Sequence, residues 1–391
     1  MNLILFDDEH RSRFYPLIWT RPLSLLRLGI DTLADKWERL SGLKPSFIVP
    51  EYLSERFPFT SSEENFLVNS RLVPNIQLWE SLRELPPGTG MMRDGNLLGA
   101  HVGTLERGKS LGKSIQHLIE YPGNLIWLNH LEDFIKNNAN QILIDFEDFT
   151  KRQSSHSLSA TNQVLGDRVY LNGSVKSEYA YFNTETGPIF LDEGVEIMEG
   201  AMIRGPVAIL AGSVVKMGAK IYGGTSIGPH CVIGGEVKNA NILGFSNKGH
   251  EGYLGDSMIG EWCNLGADTN NSNMKNNYGL VRLFDYSIGD FRLTDMKFLG
   301  VMMGDHVKCG INSTINTGTV FGLGVNWFGP VLSPCFVPDF SWADSGSISE
   351  YKLDKLMETA EKAMERRQIL FTDLDRKILT RIFEQTKTYR N

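Results

Sequence analysis

The sequence is poor in cysteine, in excess basic charge and in long hydrophobic runs, and each shortage excludes a class of protein. Four cysteines in 391 residues form no C-x-x-C pair, so neither a disulfide framework nor a zinc site is predicted. A formal net charge of −7 leaves no basic excess to displace phosphate counterions, which argues against nucleic-acid binding. No apolar run reaches the roughly 18 residues of a membrane span. The first residues turn acidic at Asp7 and lack a basic region, so we expect no signal peptide and a cytoplasmic protein.

What the sequence has instead is a strict six-residue repeat in its second half. Every sixth residue from Leu191 onward is Leu, Ile or Val, namely Leu191, Ile197, Ile203, Ile209, Val215, Ile221, Ile227 and Ile233. A row of small or β-branched residues follows four positions later, at Val195, Ala201, Val207, Ser213, Ala219, Thr225, Cys231 and Val237. A period of six fits neither a helix nor an ordinary strand. It predicts a left-handed parallel β-helix, a triangular coil with one short strand per side; a β-sandwich, with its irregular turn spacing, is the alternative.

The hexad register breaks twice. Residues 239–252 have no register, hexads resume at Leu254, Ile259 and Leu265, and a second break covers 270–298. A last set follows at Met303, Cys309, Ile315 and Phe321. We therefore expect two loops to leave the coil at these breaks, and loops held by a rigid scaffold are frequent sites of function.

The rest of the chain predicts an α/β domain before the coil and helices after it. Residues 1–150 alternate short apolar runs, at 3–6, 47–49, 66–68 and 125–128, with helical stretches such as 23–40. Residues 151–186 are interpreted as a linker and the start of the β-helix, and 187–338 as the β-helix proper. The pattern of residues 339–391 predicts two C-terminal helices, of which the second is capped by Thr372 and Asp375.

The segment 248–267, KGHEGYLGDSMIGEWCNLGA, carries the residue types that acyl transfer to an amine requires. An ammonium group must lose a proton before it attacks a thioester, and histidine is suited to act as that base near neutral pH. Asn side chains and backbone N–H groups can stabilise the resulting oxyanion. His250 is therefore the candidate base. The structural alternatives are a surface loop histidine at His250, a packing role for Tyr253 and a corner turn at Asn264.

This segment resembles the acetyltransferase half of the bifunctional enzyme family that makes UDP-N-acetylglucosamine, where K-A-G-H-x-x-Y-x-G-D-x-x-I-G-x-x-x-N-x-G-A-G-T precedes an Asn-rich loop. The resemblance implies a trimeric β-helix that acetylates an amino-sugar phosphate or nucleotide sugar from acetyl-CoA. It implies a catalytic role for His250 and a contact of the Ala267 backbone with the thioester region. It also implies a set of sugar-phosphate ligands, namely Tyr253, Asn264, Asn273 and, by its distance from the histidine, Lys238. Met274 and Asp268 replace the family's Tyr and second Gly, which bears on the identity of the acceptor.

The amino-terminal half is similar to sugar nucleotidyltransferases, which open with a strand and a loop of the type G-G-x-G-T-R-L-x-P-L-T. The strand at 3–6 is followed by DDEHRSRFYPL and TRP, without the glycines that would cradle phosphates. The resemblance implies a Rossmann-like, nucleotidyltransferase-like fold. It implies nucleotide binding by Asp7, Asp8, Arg13 and Arg21, with Mg²⁺ only if the domain is active. The whole chain resembles a divergent sugar nucleotidyltransferase family with this two-domain order.

Three functions remain open from the sequence. The first is an acetyl-CoA-dependent N-acetyltransferase acting on a small sugar phosphate or nucleotide sugar. The second is a sugar-1-phosphate nucleotidyltransferase whose β-helix only assembles subunits. The third is a non-enzymatic trimerising scaffold, which would need no His, Tyr and Asn at these spacings. A homotrimer is expected because acyl donors in this fold class bind between the β-helices of neighbouring subunits.

Overall fold

The computed structural model describes residues 1–106, 111–152, 154–329, 331–344 and 347–390. Two compact units are present: the first comprises 1–12, 20–26 and 31–129, and the second comprises 13–19, 27–30 and 130–391. The boundaries that the sequence predicts at residues 150, 186 and 338 stay a prediction. Within the described ranges no helix is both long and apolar enough to cross a bilayer.

The first unit is built on a six-stranded mixed sheet. Its strands, in spatial order, are Pro45–Ile48, Asn2–Phe6, Asn65–Asn69, Asn96–Val102, Thr89–Arg93 and His117–Glu120. Asn2–Phe6 is parallel to both of its neighbours. The helices α1 (Leu33–Ser41) and α2 (Ile76–Arg83) complete the unit, with short 3₁₀ turns at Leu23–Leu25, Glu51–Leu53 and Leu111–Lys113. The predicted α/β organisation is confirmed.

Two local predictions for this half are wrong. The helix expected over 23–40 begins only at Leu33, because short strands at Arg27–Leu28 and Asp31–Thr32 flank Gly29, whose φ of +83° is not helical. The apolar run 125–128 contributes one isolated bridge, from Trp127 to Leu72, rather than a strand. Both errors arise where turn chemistry overrides an apolar pattern.

The second unit is a three-sided coil of short parallel strands. The first face consists of Val169–Leu171, Ile189–Leu191, Val207–Ile209, Thr225–Ile227, Asn241–Gly244, Met258–Glu261, Met302–Met303, Val320–Phe321 and Phe336–Val337. The second face consists of Lys176–Ser177, Glu196–Ile197, Val214–Val215, Val232–Ile233, Asn247–Lys248, Asn264–Leu265, Lys308–Cys309, Asn326–Trp327 and Ser341–Ala343, with antiparallel Ile348–Glu350 at its end. The third face consists of Gln163–Leu165, Tyr181–Asn183, Met202–Arg204, Lys220–Ile221, Glu236–Lys238 and Tyr253–Gly255. Asn270–Asn271 and Thr314–Ile315 form a further parallel pair.

The hexad residues fill the interior of this coil. Every member of the row from Leu191 to Ile233 is at most 2% exposed and belongs to one core cluster. Because each coil buries its apolar side only against its neighbours, the stack is one continuous core. The predicted class, an α/β unit followed by a left-handed parallel β-helix and C-terminal helices, is confirmed.

The first predicted break in the coil is wrong and the second is right. Within 239–252, the strands Asn241–Gly244 and Asn247–Lys248 pair in register with the coils on both sides. The coil shortens here, from Ile233 to its partner Lys248, and the shortening removes the hexad register without removing the strands. The second break does leave the coil, and it carries an antiparallel hairpin of Arg282–Asp285 and Asp290–Leu293.

Helices cover two of the three faces. Helix α3 (Glu132–Thr150) packs through Ile142 and Phe146 on outward side chains of the first face. Helix α4 (Leu353–Glu365) is followed by α5 (Asp373–Gln385), whose predicted capping box of Thr372 and Asp375 is present, and by a 3₁₀ turn at Lys387–Tyr389. The third face keeps exposed apolar side chains, namely Val164 (45%), Leu165 (52%), Tyr181 (53%), Met202 (47%) and Tyr222 (39%).

Candidate functional site

His250 is exposed at the corner of the coil where the second face turns into the third. It lies between the strands Asn247–Lys248 and Tyr253–Gly255. The turn is tight, since Gly252 has a φ of +114° and a Cβ there would lie 2.2 Å from the carbonyl oxygen of Thr269. Only glycine fits this position, so any other residue at 252 would displace the backbone beside the histidine.

A cavity of about 860 Å³ lies beside this corner, between the second face and α4. His250, Asn264 and Ala267 all line it. The backbone N–H of Ala267 has no acceptor among the residues that the structure describes. The cavity therefore combines a potential base, a side-chain amide and an uncommitted backbone donor, which are the groups that addition to a thioester carbonyl requires.

The charge of the cavity is entirely positive. Its lining contains five cationic residues, namely Lys216, Lys308, Lys362, Arg366 and Arg367, and no Asp or Glu among the described residues. Lys308 is largely buried; its ammonium donates to the Trp262 carbonyl, and burial lowers the pKa of this lysine from its ordinary value. A cluster of cations without carboxylates favours a ligand with several negative charges.

An aromatic stack forms one wall of the cavity. The rings of Phe245 and Trp262 are parallel, with centroids 4.4 Å apart, and His230 and His306 extend the stack at 5.1 and 6.5 Å. All four residues have a left-handed φ, between +53° and +62°. They occupy the same corner of successive coils, so the backbone turn itself sets the spacing of the rings. The wall offers an apolar surface beside the cationic lining.

Helix α4 buries an apolar stripe, and the residues after it are tied to the second face by one hydrogen bond. Leu356, Ala360 and Met364 are at most 7% exposed. Two residues beyond the helix, a guanidinium nitrogen of Arg367 donates to the Asn247 side-chain oxygen at 3.1 Å. The sequence predicted this helix and assigned it no chemistry. The signal it did carry is the basic stripe of Lys362 and Arg366, four residues apart and hence on one side of a helix.

A second group of polar side chains lies on the third face, next to the corner. The Asn273 amide nitrogen donates to the Tyr253 hydroxyl at 2.9 Å and to the Asp256 carboxylate at 2.6 Å. Asn239 donates to the other oxygen of Asp256 at 2.7 Å. Burial, aided by Asp256, raises the pKa of Tyr253 to about 12, so its hydroxyl stays protonated. Because that oxygen accepts from Asn273, its own hydrogen is available to a ligand.

Lys238 lies on the same face as Tyr253. The strand Glu236–Lys238 pairs with Tyr253–Gly255, with Lys238 opposite Gly255. Val237 and Leu254 between them are buried in the coil, so Lys238 and Tyr253 both point outward. The structure thus brings His250, Asn264 and Ala267 to one cavity, and Lys238, Tyr253 and Asn273 to the adjoining face. The roles of these residues stay predictions.

The sequence missed two members of this second group, Asp256 and Asn239. Asp256 is only 6% exposed, and its carboxylate is the common acceptor of two asparagine amides. The glycine-aspartate pair that ends the strand Tyr253–Gly255 was visible in the motif. Its function as the acceptor that holds Asn273 depends on a contact across the coil, which no sequence spacing indicates.

In the first unit, both acidic residues after the opening strand are engaged by guanidinium groups. Asp7 pairs with Arg11 and accepts the Leu23 N–H at 3.2 Å; burial raises the pKa of Asp7 while Arg11 opposes the shift. Asp8 accepts from Arg71 at 2.9 Å and from Asn69 at 3.0 Å. These carboxylates do not fit a Mg²⁺ site, because in each of them one oxygen pairs with a guanidinium group and the other accepts a backbone N–H.

The two predicted arginines belong to different units, and their role in nucleotide binding stays a prediction. Arg21 is 7% exposed, and its carbonyl accepts from Arg11 at 2.8 Å. Arg13 is the penultimate residue of the 3₁₀ helix Glu9–Phe14 and belongs to the second unit. No group of three or more potential metal ligands occurs in the ranges that the structure describes.

Comparison with known proteins finds similarity to sugar nucleotidyl transferases and to bifunctional GlmU proteins over parts of the chain. Residues 3–154 match a family described as sugar nucleotidyl transferase. The bifunctional protein GlmU of Methanocaldococcus jannaschii is 33% identical over 125 residues, which are 32% of this chain and 28% of that protein. GlmU of Methanococcus vannielii is 29% identical over 42% of this chain and 39% of its own length. The chain therefore spans well under half the length of the curated relatives it matches.

Two solved structures with partial likeness are described as acyltransferases. The N-acyltransferase AntD from Bacillus cereus is 15% identical, with coverage of 52% of this chain and 91% of that one and a TM-score of 0.22. UDP-N-acetylglucosamine acyltransferase from Campylobacter jejuni is 14% identical, with coverage of 58% and 96% and a TM-score of 0.22. The chain is thus similar to the bifunctional GlmU proteins over part of its length, and residues 3–154 match the sugar nucleotidyl transferase family.

Proposed function

We propose that this protein is an acetyl-CoA-dependent N-acetyltransferase that acts on an amino-sugar phosphate or nucleotide sugar in the cytoplasm. The observation that carries the proposal is the cavity beside His250, which has five cationic residues and no carboxylate in its described lining. Coenzyme A is an extended polyanion, and such a lining is complementary to its phosphates. The 33% identity to a bifunctional GlmU protein supports the same reaction class.

The chemistry follows from the groups at the corner. The His250 imidazole takes a proton from the acceptor's ammonium group, and the free amine attacks the thioester carbon. The negative charge that develops on the carbonyl oxygen is met by a backbone donor, for which the uncommitted N–H of Ala267 is the candidate. The C–S bond then breaks, an amide remains on the sugar, and the thiolate leaves as coenzyme A thiol after protonation.

The acceptor is proposed to bind on the third face, on the other side of His250 from the cavity. Tyr253 offers its hydroxyl hydrogen, and Asn273 is held beside it by Asp256. Lys238 supplies a positive charge on the same face, in keeping with a phosphate-bearing sugar. His250 at the corner then lies between the donor in the cavity and the acceptor on the face.

We further propose a homotrimer assembled through the third face. Helices α3 and α4 pack on the first and second faces, whereas five large apolar side chains of the third face remain 39–53% exposed. Contiguous exposed apolar surface of this kind marks an association site. The proposal fails if the purified protein has a monomeric mass by light scattering at micromolar concentration.

The alternative, a sugar-1-phosphate nucleotidyltransferase, rests on the family match of residues 3–154. Calorimetric titration separates the two functions: one run uses acetyl-CoA, and the other uses UTP or dTTP with Mg²⁺. We expect binding of acetyl-CoA and none of the nucleotides, since guanidinium groups already occupy Asp7 and Asp8. Binding of the nucleotide alone would reverse the conclusion.

Turnover is tested by thiol release from acetyl-CoA with a panel of amino-sugar phosphates and nucleotide amino sugars. We expect His250→Ala to lose about 10²- to 10⁴-fold in kcat, the usual contribution of a general base, while the folded state is retained. His156→Ala is the matched control, because His156 is also exposed and lies at the start of the coil. Equal turnover in the two variants would remove His250 from the mechanism.

A further inference from the structure

Lys248 stands where the coil otherwise carries an apolar side chain. On the second face the inward position is Val215, then Ile233, then Lys248, then Leu265. Lys248 is only 3% exposed, so its stem and ammonium group lie within the coil. A buried lysine costs free energy unless its ammonium group finds hydrogen-bond acceptors, so packing alone does not account for a lysine here.

The acceptors are two backbone carbonyls of successive coils. Nζ donates to the carbonyl oxygen of Gly234 at 3.0 Å and to that of His250 at 2.9 Å. Among the described residues neither carbonyl has another donor, and Lys248 forms no ion pair. A Cβ on Gly235 would lie 2.8 Å from Nζ, so glycine at 235 makes room for the ammonium. The lysine thus supplies the donor that this shortened turn of the coil lacks.

The charge of this ammonium is weakly compensated. Burial lowers the pKa of Lys248 to about 8, with Glu251 and Asp268 acting to raise it and Lys220 to lower it. Its hydrogen bonds to the two carbonyls are therefore the main interactions that hold the side chain in place.

We propose that Lys248 is a positioning residue, which fixes the backbone of His250 from inside the coil and thereby aims the imidazole at the acceptor amine. The inference rests on the proposed function of His250. The outer side of the corner is open to substrate, so a support from within the coil orients the histidine without obstructing access. Loss of the support lets the turn 249–252 sample other paths, and small displacements of a base cost large factors in rate.

The test compares two substitutions of similar size that differ in one property. Lys248→Met keeps the apolar stem and has no donor, whereas Lys248→Gln keeps an amide donor without the charge. We expect Lys248→Met to lower kcat by about 10- to 100-fold with an unchanged dissociation constant for acetyl-CoA, and Lys248→Gln to recover part of the loss. Val215→Ala, two coils away on the same inward row, controls for a general loss of stability.

A readout independent of turnover separates this inference from the proposed function. Amide hydrogen exchange at residues 249–252 should speed up in Lys248→Met and not in Val215→Ala. The positioning role would be overturned if hydrogen exchange at these residues stayed unchanged in Lys248→Met. It would also be overturned if Lys248→Met, Lys248→Gln and Val215→Ala all lowered kcat equally. Faster exchange together with full activity of His250→Ala would instead overturn the proposed function and leave the structural role of Lys248 intact.

Discussion

The side-chain amide of Asn273 lies between the Tyr253 hydroxyl and the Asp256 carboxylate, 2.9 Å from the first and 2.6 Å from the second. Asn273 follows the coil strand Asn270–Asn271, at the start of the long insertion, whereas the other two residues belong to the preceding coil. The buried carboxylate therefore holds a residue of the insertion against the third face.

The first prediction concerns this contact. Asp256→Ala should raise KM for the acceptor by roughly 5- to 30-fold, because it removes a charge-assisted hydrogen bond worth about 1–2 kcal/mol from Asn273. KM for acetyl-CoA should change little, since Asp256 does not line the donor cavity. Steady-state kinetics with each substrate varied in turn measure both values. Asn276→Ala, an exposed asparagine of the same insertion, should leave them unchanged.

The second prediction concerns the cationic lining. Lys362→Ala and Arg366→Ala should each weaken acetyl-CoA binding by about 1 kcal/mol, roughly fivefold, and should reduce its dependence on salt. Calorimetry at two ionic strengths measures the effect, with Lys387→Ala outside the cavity as the control. Affinity and salt dependence equal to those of the unmodified protein would place the phosphates elsewhere.

The third prediction concerns the ion pair of Asp8 and Arg71 in the first unit. Arg71 is 2% exposed and also donates to the Leu128 carbonyl and the Asn129 side chain. Arg71→Met should lower the free energy of unfolding of this unit by about 3–5 kcal/mol, because Asp8 then remains as a buried charge without its partner. The double variant with Asp8→Asn should regain part of the loss. A urea denaturation series in which the two substitutions are simply additive would contradict the coupling.

The fourth prediction is the pH dependence that Lys248 imposes on stability. Its pKa is about 8 in the folded chain and about 10.5 in the unfolded one, so between these values only the unfolded chain holds the proton. The free energy of unfolding should therefore rise with pH across this window, by up to about 3 kcal/mol. Below pH 8 the cost of the buried charge is fully present.

Denaturation of the protein and of Lys248→Met from pH 7 to 10 isolates that contribution. Burial raises the pKa of the Cys231 and Cys263 thiols to about 12, and their ionisation on unfolding lowers stability above pH 9 in both proteins alike. The free energy of unfolding of the unmodified protein, relative to that of Lys248→Met, should therefore increase as the pH rises above 8. Parallel curves would mean that Lys248 titrates normally.

The sequence was sufficient for the architecture because the architecture is periodic. The eight hexad residues from Leu191 to Ile233 all lie in the same kind of environment, so each of them indicates the same inward position in the repeat. The same reasoning failed at 239–252, because a shortened coil keeps its strands while it loses its period. An inward lysine there looked like a loop residue, although it occupies the row of Ile233 and Leu265.

The candidate site was only half visible in the sequence. The motif places His250, Asn264 and Ala267 at one corner because residues a coil apart are neighbours in space. Three of the five cations of the cavity, Lys362, Arg366 and Arg367, come from α4 and the two residues after it, almost a hundred residues later. Pairings at such distances leave no local pattern. Asp256 was likewise hidden, since its importance depends on the two asparagine amides that it accepts.

The repeat of the coil sets the distance between the cations of the cavity. From the strand that precedes Lys216 to the strand of Lys308 the second face advances four steps, through Val232, Asn247 and Asn264. At about 4.8 Å per step the two lysines are roughly 19 Å apart along the coil axis. A donor that meets both must be long and extended, whereas acetyl phosphate covers about one step. The spacing of the lysines is thus fixed by the coil, and we expect the protein to discriminate between acyl donors by their length as well as by their leaving group.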